Sequence, residues 1–318
     1  MEKAKNIVLE STKLIIKKSK DVKINSEAIK SFKVQPEEIS SIKWDKNIHF
    51  YSLTDLEKFL NYLLLIDCNN FCFWKGKQKK HFSNSLSGYL VLTNEYKNFF
   101  ISQRKKANLK YFSKISFEEF KKEFKNLSKF QLFKKRWEIV RRVSLYMVKN
   151  YNGSFYLFLK SVKKDAAKLI KKISQELYSF NDSSQFQQKK IYFLKRAQHL
   201  TANIWGALEG KDVSNFYNLE YLTAMADYKL PQILNYLGIL QYSQKLKNIL
   251  KKGKIIKKNS SIELELRANT IWAIEQLKNE LNKKGISIYS FQVDWYLWNK
   301  SHCLNLILPH HRTKTFYY

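Results

Sequence analysis

The stretch VKKDAAKLIKKISQEL, residues 162–177, places Val162, Ala166, Leu169, Ile170, Ile173 and Leu177 at three- and four-residue spacing. That period of about 3.6 puts one apolar stripe on a helix, whereas a strand alternates every second residue. The same period recurs outward in both directions. Ile7, Val8, Ser11, Leu14 and Ile15 form one face of an N-terminal helix. Ser116 and Glu119 make a capping-box pattern ahead of Phe117, Phe120, Phe124 and Leu127. Gly153-Ser154 breaks the chain before the run at 162–177. Pro231 suits a first helical position, followed by Ile233, Leu234 and Leu237, with Gly238 as a stop. Between Ile262 and Leu281, Glu263 and Arg267 are spaced to pair along a helix. Short extended pieces are expected near Ser287–Val293 and Cys303–Leu308, where apolar and polar residues alternate. With 3 prolines and 8 glycines in 318 residues, the chain lacks the turn residues that a many-stranded protein needs. The reading is a mainly α protein, one domain over 1–318, with a small β element near the C-terminus.

Composition narrows the function classes. Hydrophobic residues make up 44% and aromatics 15%, which is globular and not disordered. The most apolar stretch, LNYLLLIDCNNFCFW, is interrupted by Asp67, Asn69 and Asn70, so no transmembrane helix is expected. No secretory signal pattern opens the chain, and three cysteines are too few for a disulfide framework, so a cytoplasmic setting is expected. The net charge of +31 raises nucleic acid as a partner, yet 51 of the 58 basic residues are lysine. Base and phosphate readers draw on arginine for bidentate contacts. A solvated lysine surface is therefore the preferred reading, and no stable nucleic-acid partner is expected.

Several familiar chemistries are missing. Cys68/Cys72 and His310/His311 do not have zinc spacing, and no metal or other cofactor is expected. No Gly-x-Ser-x-Gly elbow, phosphate-binding loop or dinucleotide glycine pattern occurs. What stands out instead is polar residues set in apolar sequence: Lys195 and Arg196 in FLKRAQHL, Asp227 in MADYKLPQ, Asp294 and Asn299 beside Trp295 and Trp298 in VDWYLWNK, and LPHHRTKTFYY at the end. Each alone reads as a cap, an ion pair or core. Together, carboxylates beside aromatic faces suit a heterocyclic base, and Lys, Arg and His suit a phosphate.

The chain resembles the queuosine salvage family, the queuosine 5′-phosphate N-glycosylases. The resemblance runs through SKDVKINSEAI, LIDCNNFCFW, SGYLVL, NGSF, FLKRAQHLTANIW, LTAMADYKLPQILNYLGILQYS, ELELRANTIWAIE and HHRTKTFYY, eight blocks in order along the chain. It implies a helical fold similar to DNA glycosylases and an enzyme that cleaves the N-glycosidic bond of queuosine 5′-phosphate to release queuine for tRNA modification. It implies Asp227 as the catalytic carboxylate and Lys195 beside it. It implies base-binding positions at His49, Met225, Ala226, Asp294, Trp295 and Asn299. Arg196, Tyr228, His310, His311 and Arg312 are the candidates for phosphate or ribose. The family usually has Phe at Met225, Arg at Lys229 and often an acidic residue at Asn299, so substrate preference is where this chain departs. The competing classes are a non-catalytic basic nucleic-acid-binding protein and a DNA or RNA base glycosylase.

Overall fold

A computed structural model of the chain describes residues 5–40, 42–74 and 87–318. Two long buried helices organise it. In the helix Leu56–Asn69, every residue from Phe59 to Asn69 is buried, as expected of a helix apolar on all sides. Asp55 caps its start by accepting the Lys58 N–H at 3.1 Å. Against it pack the helices Gly88–Ser102, Phe133–Tyr151, Phe155–Lys160 and Lys195–Ala207. The second, Ser261–Lys283, is capped by the Ser260 hydroxyl and packs on the helices Ile7–Lys18, Lys229–Tyr236 and Ser290–Cys303. Each fully buried Leu, Ile or Phe in these faces contributes about 1.5–3 kcal/mol of transfer energy.

Most of the predicted helical signals hold. The helix Ala166–Glu176 buries Ala166, Leu169, Ile170 and Ile173. Ser116 and Glu119 form the capping box of the helix Phe117–Glu123. Asn152 and Gly153 take left-handed conformations and end the helix Phe133–Tyr151, after which Ser154 caps the next. In the helix Ile7–Lys18 the buried line is Val8, Thr12 and Ile15, while Ile7 lies outward. Thr12 is the polar member of that line, and its hydroxyl accepts from the Trp272 indole at 3.0 Å.

Two expectations are corrected. Residues 290–303 are a helix, not an extended piece, and 304–308 contain no strand. An alternation over six or seven residues is too short to separate a period of 2 from one of 3.6. The buried positions Phe291, Asp294, Leu297 and Ser301 fit the helical period. The strands form elsewhere: β1 (Val22–Ile24) pairs antiparallel with β4 (Leu240–Tyr242), and β2 (Ser183–Phe186) with β3 (Lys189–Tyr192). The β2–β3 turn uses Gln187 and Gln188, both at positive φ, so the usual Asn-Gly signal is absent. The helix near Pro231 begins two residues earlier, at Lys229. Proline is tolerated there because the first-turn N–H groups have no partner inside the helix.

Candidate active site

The polar residues that approach one another sit on four elements. Lys195 opens the helix Lys195–Ala207, Asp227 precedes the helix Lys229–Tyr236, Asp294 lies in Ser290–Cys303, and Asp67 lies near the end of Leu56–Asn69. Their placement depends on one buried ion pair. Arg267 binds Asp182 through two hydrogen bonds, at 2.9 and 2.6 Å, and also donates to the Ala226 carbonyl at 3.2 Å. Asp182 Oδ2 in turn accepts the Lys195 backbone N–H at 3.2 Å. One guanidinium–carboxylate pair thus fixes both the start of the Lys195 helix and the segment ahead of Asp227. The spacing of Glu263 to Arg267 pointed to a different partner. Glu263 is present at 3.9 Å, but the bidentate partner lies 85 residues away.

Asp227 is half-buried, and its Oδ1 accepts from the N–H groups of Lys229 (2.7 Å) and Leu230 (3.1 Å). It therefore caps its helix. Among the described residues Oδ2 has no hydrogen-bond partner, which leaves that oxygen for other contacts. Lys195 is 4% exposed, with Nζ 3.4 Å from the Asn70 carbonyl, at the end of the helix Leu56–Asn69 where a cation is favoured. Burial pushes its ammonium pKa down, against the attraction of Asp227 and Asp67. Asp294 accepts the Met225 N–H on Oδ2 at 2.6 Å. Burial, reinforced by the charge of Asp227, pushes its carboxyl well above the usual range, with the Met225 N–H and Lys195 pulling the other way. The charges of Asp227, Lys195 and Asp294 act on one another, with burial favouring the acid form of Asp294.

An aromatic wall adjoins it. His49 stacks on Trp44 at 4.3 Å, and its ring nitrogens lie 3.0 Å from the Tyr62 hydroxyl and 3.4 Å from that of Tyr89. Burial lowers its pKa to about 3, so the ring is neutral at physiological pH. Tyr89 meets His49, His199 and Trp298 edge-on, at 5.8, 6.0 and 6.0 Å. Trp295 lies over Gly206, where an added Cβ would come within 2.7 Å of the indole and 3.1 Å of Trp44. Met225 and Ala226 are buried beside Asp227, while Asn299 is exposed.

The five phosphate or ribose candidates divide. Arg196 is buried and donates to the carbonyls of Asp67, Cys68 and Ser179. His311 is buried against the Tyr318 hydroxyl, and Arg312 donates to the Gly253 carbonyl. These three side chains tie the fold together. The rings of Tyr228, next to Asp227, and His310 lie 4.6 Å apart and inclined by 35°. Lys229 and His302 share the electrostatic surroundings of Asp227 as well, and neither was among the sequence candidates. Also missed were Asp182, Asp67 and His199. A signal existed for Asp67, a lone carboxylate in an apolar helix. A surface cleft of about 560 Å³ elsewhere, lined by Tyr146, Glu176, Tyr178 and Tyr317, contains none of these groups, and Glu176 there is bound by Tyr146 and Lys172.

The fold is mainly helical and brings Asp227, Asp294 and Lys195 together near an aromatic wall, a set of groups whose chemistry suits a polar, ring-bearing ligand. The queuosine salvage protein family model matches residues 49–318, and the chain belongs to that family. It is similar to the queuosine 5′-phosphate N-glycosylase/hydrolase of Sphaerobacter thermophilus, 29% identical over 98% of this chain and 97% of the relative. The protein of the same description from Dictyostelium discoideum is 30% identical over 98% of both chains, and that from Mus musculus 30% over 82% of both. Among the described residues, no helix is long and apolar enough to cross a membrane.

Proposed function

We propose that this chain hydrolyses the N-glycosidic bond of queuosine 5′-phosphate and releases the free base queuine. Membership of the family and the printed activity of its relatives support the reaction. The observation that carries the chemistry is Asp227, pinned through Oδ1 and with no partner on Oδ2 among the described residues, within the electrostatic reach of Lys195 and Asp294.

Breaking the bond develops positive charge on the ribose, as in other glycoside cleavages. A carboxylate about 4 Å from that charge, at an effective dielectric near 20, contributes on the order of 4 kcal/mol of attraction. Asp227 takes this role. Its Oδ1 is pinned by two backbone N–H groups, so little reorganisation is needed when charge appears. Asp294, with Oδ2 on the Met225 N–H, turns Oδ1 to the N–H edge of the guanine-like base, and His49, Met225, Ala226 and Trp295 line the ring. Lys195 balances the carboxylates. Tyr228, His310, Lys229 and His302 are the groups near Asp227 that suit the ribose and 5′-phosphate.

The test is to incubate the protein with queuosine, its 5′-phosphate and its 3′-phosphate and to assay free queuine. Release is expected from the 5′-phosphate. Asp227→Asn and Asp227→Ala should lose it while melting near wild type. Near-normal turnover in either variant would remove the assignment.

A further inference from the structure

One turn beyond Lys195 on the same helix stands a histidine to which the proposed reaction gives no task. His199 Nδ1 lies 2.7 Å from Asp67 Oδ1. Asp67 is inaccessible to solvent and also accepts from Asn203 at 3.0 Å and Asn70 at 3.4 Å. Burial pushes the Asp67 carboxyl up, but the charge and hydrogen bond of His199, with Lys195 and Asn203, outweigh it and hold the group ionised. An ionised carboxylate only accepts, so Nδ1 carries a proton and Nε2 is the ring nitrogen the carboxylate does not hold; Asn203 Nδ2 lies 3.0 Å from Nδ1, and Asn70 Nδ2 lies 3.3 Å from both ring nitrogens. The His199 side chain keeps 16% exposure where Asp67 has none, so the imidazole is the open end of the dyad. The titratable groups that face it are Asp67 from the helix Leu56–Asn69, Tyr89 from Gly88–Ser102, His49 with Tyr62 behind it, and Lys195 on its own helix. Through Tyr89 it stands on the wall that carries His49 and Trp298.

Resting on the proposed reaction, we infer that His199, oriented by Asp67, is the general acid for the departing base. A 7-deazapurine has carbon at the position where a purine leaving group is normally protonated, so its departure needs a donor from the protein. In the step, the bond from the ribose anomeric carbon to the base nitrogen breaks and its electron pair goes to the base. The Nε2 proton of the imidazolium passes to that nitrogen. Water adds its oxygen to the anomeric carbon, and the proton it sheds returns to the imidazole. One water is consumed, and the dyad ends as it began.

The experiment measures kcat and KM for queuosine 5′-phosphate from about pH 5 to 9, for wild type, His199→Gln and Asp67→Asn, with a thermal melt of each. A general acid must be protonated, so wild-type kcat falls on the alkaline side. His199→Gln should lower kcat by about 100-fold with KM within about threefold, and should lose that alkaline limb. Asp67→Asn should lower kcat as well, because Nδ1 has lost the carboxylate that orients the ring. Wild-type kcat in His199→Gln, or an alkaline limb kept in place in that variant, overturns the inference. Should His199→Gln fail to fold, His199→Asn takes its place, and wild-type kcat in that folded variant overturns the inference as well. A wild-type protein that releases no queuine removes the proposed reaction itself, whereas active wild type with an unaffected His199→Gln removes only the role of His199.

Discussion

At the scale of single residues, the proposed role of Asp227 divides two tasks between two oxygens. Its Oδ1 caps a helix, and its Oδ2 is left for other contacts. A cap and a catalyst are compatible because a carboxylate has lone pairs on both oxygens. Asp294 shows how far surroundings set chemistry. Burial and the nearby Asp227 favour its acid form, while the donor edge of a bound base favours its carboxylate. Queuine binding should therefore release a proton in the pH range where the free protein keeps Asp294 in its acid form. Calorimetry in buffers of different ionisation enthalpy measures this directly, and Asp294→Asn should abolish the buffer dependence. Asp227 and Lys195 were legible in sequence as charges within apolar runs, and the family resemblance gave them roles. Arg196 carried the same signal and points into the fold instead, spending its donors on three carbonyls. Local sequence marks a buried charge but not the direction it faces.

Between elements, the site is held by contacts that cross long stretches of chain. Arg267 and Asp182 join the starts of two helices that carry Lys195 and follow Asp227. Lysine cannot reproduce the two-pronged geometry, and a half-satisfied buried pair costs roughly 3–5 kcal/mol. Arg267→Lys should thus lower the denaturant midpoint clearly and reduce kcat in whatever protein remains folded. Gly206 has the opposite balance. Alanine favours a helix by about 1 kcal/mol over glycine, yet its Cβ would press on Trp295 and Trp44. Gly206→Ala should leave stability little changed and raise KM several-fold, measured by initial rates and a melt. The helices that present these residues were readable from periodicity. The β1–β4 and β2–β3 pairs were not, because three- and four-residue strands carry almost no pattern and one turn is made of two glutamines.

For the molecule as a whole, the final nine residues act as a strap that buries His311, Arg312, Thr313, Thr315 and Tyr318. Tyr318 donates its hydroxyl to Glu263 at 2.9 Å and lies under the Arg267 guanidinium, and its carbonyl accepts the Cys72 N–H at 2.8 Å. His311 in this strap and His49 across the fold are both buried, with pKa lowered to about 3 by desolvation. Their folded pKa is below the unfolded value of about 6.5, so the unfolded chain binds more protons in between. Their stabilising contribution is complete above about pH 6.5 and declines as pH falls towards 3, by up to about 1.4 kcal/mol per pH unit for each. Melting temperature should decrease steadily across that window, and His311→Gln should flatten the slope.

What the sequence determined by itself is the helical class, most helix starts and stops, and the set of charges embedded in apolar surroundings. These are local properties, written in a period of 3.6 and in capping residues a few positions apart. Which of those charges meet was decided only by tertiary structure. Asp67 with His199, Asp182 with Arg267, and Asp294 with the Met225 N–H are separated by 132, 85 and 69 residues. A buried charge takes whichever partner packing brings within reach, and packing is a property of the whole chain.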